Sequence, residues 1–439
     1  MTARILIAGA GIAGLTAALA LHARGFTQIR LVERSENIKP LGSGINLLPQ
    51  AVRELDALGL LDGLLPICVQ TSELFYMNHH GDCIWREDRG KAAGFRWPQL
   101  SIHRGWLQMQ LLQQVVQALG PDAVHAGKEV VDVQEAKDGQ VVVCHDRTSG
   151  AEVRYKADLI IGADGIRSAV RRLLAPDEGP PPANGMVIFR GTVWGKPFLT
   201  GSSMIVAGDG IRKFVIYPMA QRAGSSEVLL NWAAAAPENP AEGYARGDWN
   251  LPVQPSRFAR DFEGWKFAGV EPAAIMLASA DTFVYPMVDR EPLPTWTHGA
   301  GIVLIGDAAH AMYPIGSNGA TQSIIDACAL AHYLSRYPRF DEALSAYEAD
   351  RRVKMTELQI ANRKKGPEVV IDIANAQAPG GFKDPRDVFG PGELEAIAAR
   401  YARISAMERT MVNEPSPYWG SDRTARATTS KQQEALHDA

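Results

Sequence analysis

Cysteine is scarce. Cys68, Cys83, Cys144 and Cys328 are the four in 439 residues, and no two form a C-x-x-C pair. That spacing argues against a disulfide framework or a zinc site, and a reducing cytoplasm is the simplest compartment for it. An excess of one charge is also missing: 45 Lys and Arg against 49 Asp and Glu leave −4. No basic stripe for nucleic acid is visible. Long apolar runs are lacking. The run Ile5 to Leu21 is interrupted by Gly9, Gly11 and Gly14 and has only Arg4 as a basic flank, so neither a signal peptide nor a membrane span is expected. There is no Ser-His-Asp order, no H-E-x-x-H and no carboxylate dyad suited to hydrolysis. With 46% hydrophobic and 21% charged residues, the composition is globular and the length allows two or three lobes.

The N-terminus supplies the clearest pattern. Arg4 to Ala8 reads as a buried parallel strand, Leu15 to Arg24 as a helix stopped by Gly25, and Ile29 to Val32 as a second strand. Together they make a βαβ unit. Ala51 to Leu61 and Gly105 to Leu119 have helical periodicity. Val130 to Val133 and Val141 to Cys144 look like paired strands, and Leu159 to Gly162 like another buried one. After a Pro-rich break at Glu178 to Pro182, short alternating stretches (Met186 to Val193, Phe214 to Tyr217, Val228 to Ala233) predict antiparallel sheet. Trp194, Trp232, Trp249 and Trp265 fall in or beside this region. The βαβ texture returns with the strand Gly301 to Ile305 and the helix Ala320 to Ser335. Phe340 to Lys365 and Glu393 to Met411 are helical, Pro379 to Gly392 is a loop, and the polar tail from Asn413 is expected to pack poorly. The expected division is a discontinuous first domain (1–75, 100–182, 286–340), a β-rich domain (76–99, 183–285), a helical region (341–412) and a tail (413–439).

Three motifs carry chemistry. Gly9-x-Gly11-x-x-Gly14 joins a strand to a helix, with Glu33 nineteen residues further on. Glycines there permit a tight turn and close approach to a pyrophosphate, and the helix N-terminus offers free N–H groups. Glu33 can accept both hydroxyls of an adenosine ribose, and it would repel a 2′-phosphate. The second motif is Gly162-Ala163-Asp164-Gly165 with Ser168 and Arg171; alone it reads equally as an Asp N-cap. The third is Gly306-Asp307-Ala308-Ala309-His310, followed by Pro314, Gly316, Asn318 and Gly319. Its turn can point N–H groups at an anionic ring edge, or can simply cap a helix. His310 is read as packed or capping rather than as a base.

In this order and spacing the three motifs resemble those of the single-component (class A) FAD-dependent aromatic hydroxylases, which include p-hydroxybenzoate and salicylate hydroxylases. The likeness runs from about Arg4 to Ala361. The segments PLGSGINLLP, SIHRGWLQM and YPMVDREPLP are similar to those of phenazine-biosynthesis hydroxylases acting on 5-methylphenazine-1-carboxylate. The resemblance implies an α/β fold of the p-hydroxybenzoate-hydroxylase type: a Rossmann-type FAD domain, an inserted antiparallel substrate sheet and C-terminal helices. It implies bound FAD, with Gly9, Gly11 and Gly14 at the pyrophosphate, Glu33 at the adenosine ribose, and Ala13 and Arg34 also in the cofactor site. Arg104 would reach the phosphates, the Val131 backbone the adenine, and Asp307 the ribityl or pyrophosphate. Gly316, Asn318 and Gly319 would approach the isoalloxazine, and Gly44 and Pro314 would belong to the same cofactor site. Asp164 and Gly165 match a motif linked to both FAD and the nicotinamide cofactor.

The implied reaction is hydroxylation of an aromatic or N-heteroaromatic, carboxylated or phenolic small molecule by NADH or NADPH and O2, through a hydroperoxide at flavin carbon 4a, with or without decarboxylation. A larger natural product as substrate, or flavin binding without catalysis, are the alternatives. The chemistry is centred on the flavin, so no catalytic side chain is assigned. No second dinucleotide fingerprint is present, so the nicotinamide would bind transiently. Substrate-facing candidates are Phe189, Arg190, Tyr217, Met219, Trp232, Tyr285, Met312 and Pro314. Arg190 or Tyr217 could hold a carboxylate or phenolate; each aromatic could instead be core. No metal and no membrane partner is expected, and the chain would be a cytoplasmic monomer or homodimer.

Overall fold

The computed structural model describes residues 3–137, 139–239 and 251–420. Trp249 and the tail beyond residue 420 lie outside these. The first layer is a six-stranded sheet in the order Thr297–His298, Ile302–Leu304, Leu159–Gly162, Ile5–Ala8, Ile29–Glu33, Val124–Ala126, parallel except for the first strand. Its central strands are short aliphatic runs buried on both faces, as a parallel sheet covered by helices requires. The helices Ile12–Ala23 and Asn318–Arg336 pack on each other against it. The first helix begins three residues before the expected Leu15, because Gly11 serves as its N-cap and Gly14 lies within it. The expected pairing near Val130 and Val141 is the antiparallel pair Lys128–Ala136 and Gly139–Asp146, which Glu152–Ala157 extends to three strands.

The second layer is an eight-stranded sheet in the order Leu251–Pro252, Thr282–Val288, Ala183–Gly195, Val228–Pro237, Lys213–Gln221, Ser203–Gly208, Glu73–Asn78, Cys83–Asp88. Its two faces bury different cores. On one face Phe189, Phe214 and Trp232 pack with Phe258, Phe262 and Trp265. On the other, Leu74, Tyr76, Met204 and Tyr217 meet Val370, Ile371 and Ala374 of the helix Val369–Gln377, an element with no distinct signature in the sequence. A three-stranded sheet (Gly44–Leu47, Gln99–His103, Cys68–Thr71) joins the layers.

The beginning of the tail departs from expectation. Ser416 and Tyr418 are buried. Ser416 Oγ donates to Glu54 Oε2 at 2.7 Å, Tyr418 OH to Asp350 Oδ2 at 2.9 Å, and the Arg24 guanidinium stands 4.4 Å over the Trp419 ring. Glu54 is buried, and desolvation raises its pKa against the pull of Arg53 and Ser416. A polar segment packs here because it brings donors to a carboxylate that helix Pro49–Ala57 leaves inside. Among the described residues no helix is long and apolar enough to cross a membrane.

Candidate active site

A groove of ≈ 640 Å³ runs along the strand ends of the six-stranded sheet and opens into a cavity of ≈ 400 Å³ over the eight-stranded sheet. Gly11, Arg104, Gly165, Arg190, Asp307 and Pro314 border both.

The residues along the groove fit a dinucleotide. Gly9 has φ +100°, and a Cβ there would stand 2.4 Å from the Ala163 carbonyl oxygen. At Gly14 a Cβ would meet the Gly9 oxygen at 2.0 Å, whereas at Gly11 it would meet nothing within 4 Å. Two glycines therefore let strand and helix close together, and the third leaves the helix N-terminus bare. That end has no side-chain cap and no acidic residue in its first turn, so its N–H groups suit a diphosphate. Glu33 is fixed at the strand end: its Oε2 accepts from Ala10 N at 3.0 Å and its Oε1 from Ser35 N at 2.9 Å. Arg34 and Lys128 lie on the same groove, and Val130 lines it, whereas Val131 is 47% exposed on the strand and does not. The odd-even alternation of the strand turns the Val131 side chain away, whereas the expectation for Val131 concerned its backbone, which alternation does not move.

Asp164 lines the groove and holds its own turn. Its carboxylate accepts from Ser168 Oγ and from Ala169 N at 2.7 Å, tying down the turn at the groove wall. Desolvation raises its pKa, opposed by those donors. Gly165 (φ +76°) lines both spaces. Asp307 is exposed into the groove, while the rest of its turn is anchored from behind. Arg171 Nη1 donates to the carbonyls of Ala308 and Ala309, at 3.1 and 2.9 Å, and Arg171 pairs with Glu178. His310 is fully buried. Its Nε2 lies 2.5 Å from Asp326 Oδ2, and Arg351 Nε donates to Asp326 Oδ1 at 2.8 Å. These contacts make His310 part of the interior network.

Gly316, Asn318 and Gly319 form a turn on the cavity wall, beside Met312, Tyr313 and Pro314. Gly316 has φ +62°, and a Cβ there would strike the Tyr401 hydroxyl at 2.3 Å. Tyr401 also receives Asn318 Nδ2 at 3.0 Å and donates to Asn362 at 2.8 Å, so a C-terminal helix buttresses the turn. Ala13 and Gly44 line the cavity as well. Gly44 N donates to Asn231 Oδ1 at 2.6 Å, and a Cβ at Gly44 would fall 2.5 Å from Met219 Sδ. Met219 thus props the Gly44 backbone from beneath and does not itself line the cavity.

Arg190, Tyr217 and Tyr285 lie near one another, Tyr217 on the cavity, Tyr285 on the groove and Arg190 on both. The Arg190 guanidinium stands 5.6 Å from the Tyr285 ring centroid, and its buried Nε has no acceptor. Burial lowers its pKa, with Tyr217 and Tyr285 opposing, and burial pushes the Tyr217 hydroxyl well above the usual phenol range. Phe189 and Trp232 are corrections. Phe189 stacks on Phe258 at 3.9 Å and Trp232 Nε1 donates to Ser279 Oγ, both on the far face of the sheet. Side chains alternate along a strand, so Ile188 and Arg190 face the cavity and Phe189 cannot; Asn231 and Ala233 likewise exclude Trp232. Sequence reasoning missed Tyr76, Arg89, Asn231, Lys213 and Glu368, which line the cavity. The alternation in Glu73–Asn78 was a usable signal for Tyr76; Glu368 is brought in by a distant segment and had none.

Comparison with known proteins agrees with this geometry. The profile of the FAD binding domain family matches residues 2–188 and 286–359. The chain belongs to the single-component FAD-dependent aromatic hydroxylases. It is 41% identical to the phenazine 1,6-dicarboxylic acid hydroxylase PhzS of Lysobacter antibioticus, over 82% of this chain and 89% of that one. It is 29% identical to the salicylate hydroxylase of Pseudomonas putida, over 83% and 85%. In fold it is similar to Klebsiella pneumoniae HpxO complexed with FAD and uric acid (TM-score 0.67, 21% identity, 94% of this chain and 97% of that one). The protein is an FAD-dependent aromatic monooxygenase of the p-hydroxybenzoate-hydroxylase fold.

Proposed function

We propose that this hydroxylase acts on a flat N-heteroaromatic carboxylic acid of the phenazine kind, with NADH or NADPH as reductant and O2 as oxidant. The observation that carries the reading is Arg190, a guanidinium with a buried, unpartnered Nε at the junction of groove and cavity. A buried donor without an acceptor is costly, and a substrate carboxylate relieves that cost with a charge-assisted hydrogen bond. The name of the 41% identical relative supports a heteroaromatic acid.

The cofactor sites follow the same reading: Gly9, Gly11, Ala13 and Gly14 at the diphosphate, Glu33 and Arg34 at the adenosine side, Arg104 and Asp307 between, and Gly44 with Pro314 to Gly319 at the ring. When bound, FAD supplies the redox chemistry, taking hydride from the reduced nicotinamide and activating dioxygen. The chain supplies placement. Arg190 holds the acid, and Tyr217, kept protonated by its burial, donates to a substrate oxygen. Val206, Val215 and Ala233 make an apolar floor that sheds water, and Met312 to Pro314 wall the side next to the groove.

The test is oxidation of reduced nicotinamide by the FAD-loaded protein over a panel of phenazine carboxylates and benzoates, with product masses read in parallel. A heteroaromatic acid that accelerates oxidation and gains about 16 mass units supports hydroxylation; a loss of about 28 identifies the decarboxylative course. Acceleration by benzoates alone, or by none of the panel, overturns the proposal.

A further inference from the structure

The turn on the cavity wall is held in an unfavourable shape. Gly316 and Ser317 are both left-handed, at φ +62° and +60°. Glycine adopts that region freely, but Ser317 does so at a steric cost. Such a residue persists only where its surroundings over-determine it. The surroundings here converge on one hydroxyl. Tyr401 OH accepts from Asn318 Nδ2 at 3.0 Å and donates to Asn362 Oδ1 at 2.8 Å, with the Ile315 carbonyl as a second acceptor at 3.2 Å. The Tyr401 ring is seated between two glycines: a Cβ at Gly316 or at Gly366 would fall 2.3 or 2.7 Å from one of its atoms. Asn362 and Tyr401 are buried, so removing the hydroxyl leaves Asn362 Oδ1 inside without its donor. Tyr401 stands on the helix Glu393–Ile404, beyond residue 359 where the match to the FAD-binding family ends. The helix Asn318–Arg336 that follows the turn has no side-chain cap and no acidic residue in its first turn. Gly316 to Ala320 line the cavity, so the free N–H groups of that helix end are presented on its wall.

We propose that Tyr401 is a positioning residue for the flavin: its hydroxyl locks the strained turn so that the N–H groups of the helix end stay against the isoalloxazine and favour the negative charge the ring gains on reduction. This rests on the placement of Gly316 to Gly319 at the ring given above, and on nothing about the substrate. The partial positive charge of a helix start stabilises an anion, and it acts over the first turn only. A turn that relaxes toward ordinary φ values carries those N–H groups off the ring. The reduced cofactor then loses more binding than the oxidised one, so the midpoint potential falls.

The experiment measures the two-electron midpoint potential of the bound FAD by dye-coupled reduction, with the melting temperature of each holoenzyme beside it. Tyr401→Phe keeps the ring and removes the hydroxyl. It is expected to lower the potential by about 30 mV, a tenfold loss in the reduction equilibrium, with oxidised FAD still bound. Ser317→Gly added to Y401F removes the left-handed penalty and is expected to recover part of that loss. A purely structural role lowers the melting temperature of Y401F and leaves its potential at the wild-type value, and that result overturns the proposal. A lowered potential that S317G leaves unrecovered overturns it too. Ser317→Asp separates this proposal from the placement it rests on, because a carboxylate there lowers the potential if the turn faces the ring, whatever Tyr401 does. A shift in S317D without one in Y401F overturns the role of Tyr401 alone; no shift in either overturns the placement of the turn as well. If Y401F does not retain FAD, Asn362→Ala, which removes the acceptor of the hydroxyl and leaves the Tyr401 ring in place, carries the same expectation, and an unchanged potential there overturns the proposal.

Discussion

Asp307 and Gly9 border the same groove for different physical reasons, and their variants should separate them. Asp307 is exposed and its turn is held by Arg171 from behind, so Asp307→Ala should leave the apo protein's melting temperature in place. The same variant should weaken FAD by about tenfold, read by flavin fluorescence titration, if one charged hydrogen bond is lost. Gly9→Ala should instead destabilise the apo protein, because its Cβ would press on the Ala163 carbonyl at a φ of +100°. Arg190→Gln should raise KM for carboxylated substrates by about 10- to 100-fold with flavin content unchanged, measured by steady-state kinetics. Gly9, Gly14 and Glu33 were legible in the sequence because a tight strand-to-helix turn excludes a Cβ and the strand end sets a carboxylate against the Ala10 and Ser35 amides, whereas Asp307 was singled out by the resemblance of its motif. Phe189 and Trp232 were misplaced because both faces of this sheet are buried. Hydrophobicity then does not say which face looks into the cavity, and only the neighbouring strands settle the parity.

At the scale of elements, the βαβ unit and the helices Asn318–Arg336 and Phe340–Arg363 read clearly, because sustained periodicity meets glycine and strand signals there. The helix Val369–Gln377 was not legible: it is short and rich in β-branched residues, and its place is set by the apolar sheet face it covers. The packed start of the tail was illegible for a similar reason, since its anchor is the carboxylate of Glu54, more than 350 residues away in sequence. Ser416→Ala should therefore cost about 1–3 kcal/mol, the penalty for leaving a buried acceptor short of a donor, measurable by chemical denaturation of the holoenzyme.

For the whole molecule, the Asp326 cluster joins the third motif to two long helices. Burial opposes ionisation of Asp326, but His310 and Arg351 overcome it and hold its pKa below the ordinary value. A carboxylate depressed in the folded state stabilises the protein above its unfolded pKa of about 4, and that stability is lost as pH falls through the depressed value. Arg351→Met removes the compensating cation. It should cost about 3–5 kcal/mol at neutral pH and move the acid limb of the stability curve to higher pH, followed by thermal melts from neutral to acid.

Part of the cavity wall is Glu368, beyond residue 359 where the match to the FAD-binding family ends. Lys213, its partner, comes from the stretch between the two matched segments. Part of the cavity lining is thus drawn from outside the matched segments, so substitutions in a short C-terminal run and one sheet strand would reshape what is admitted without touching the residues along the groove.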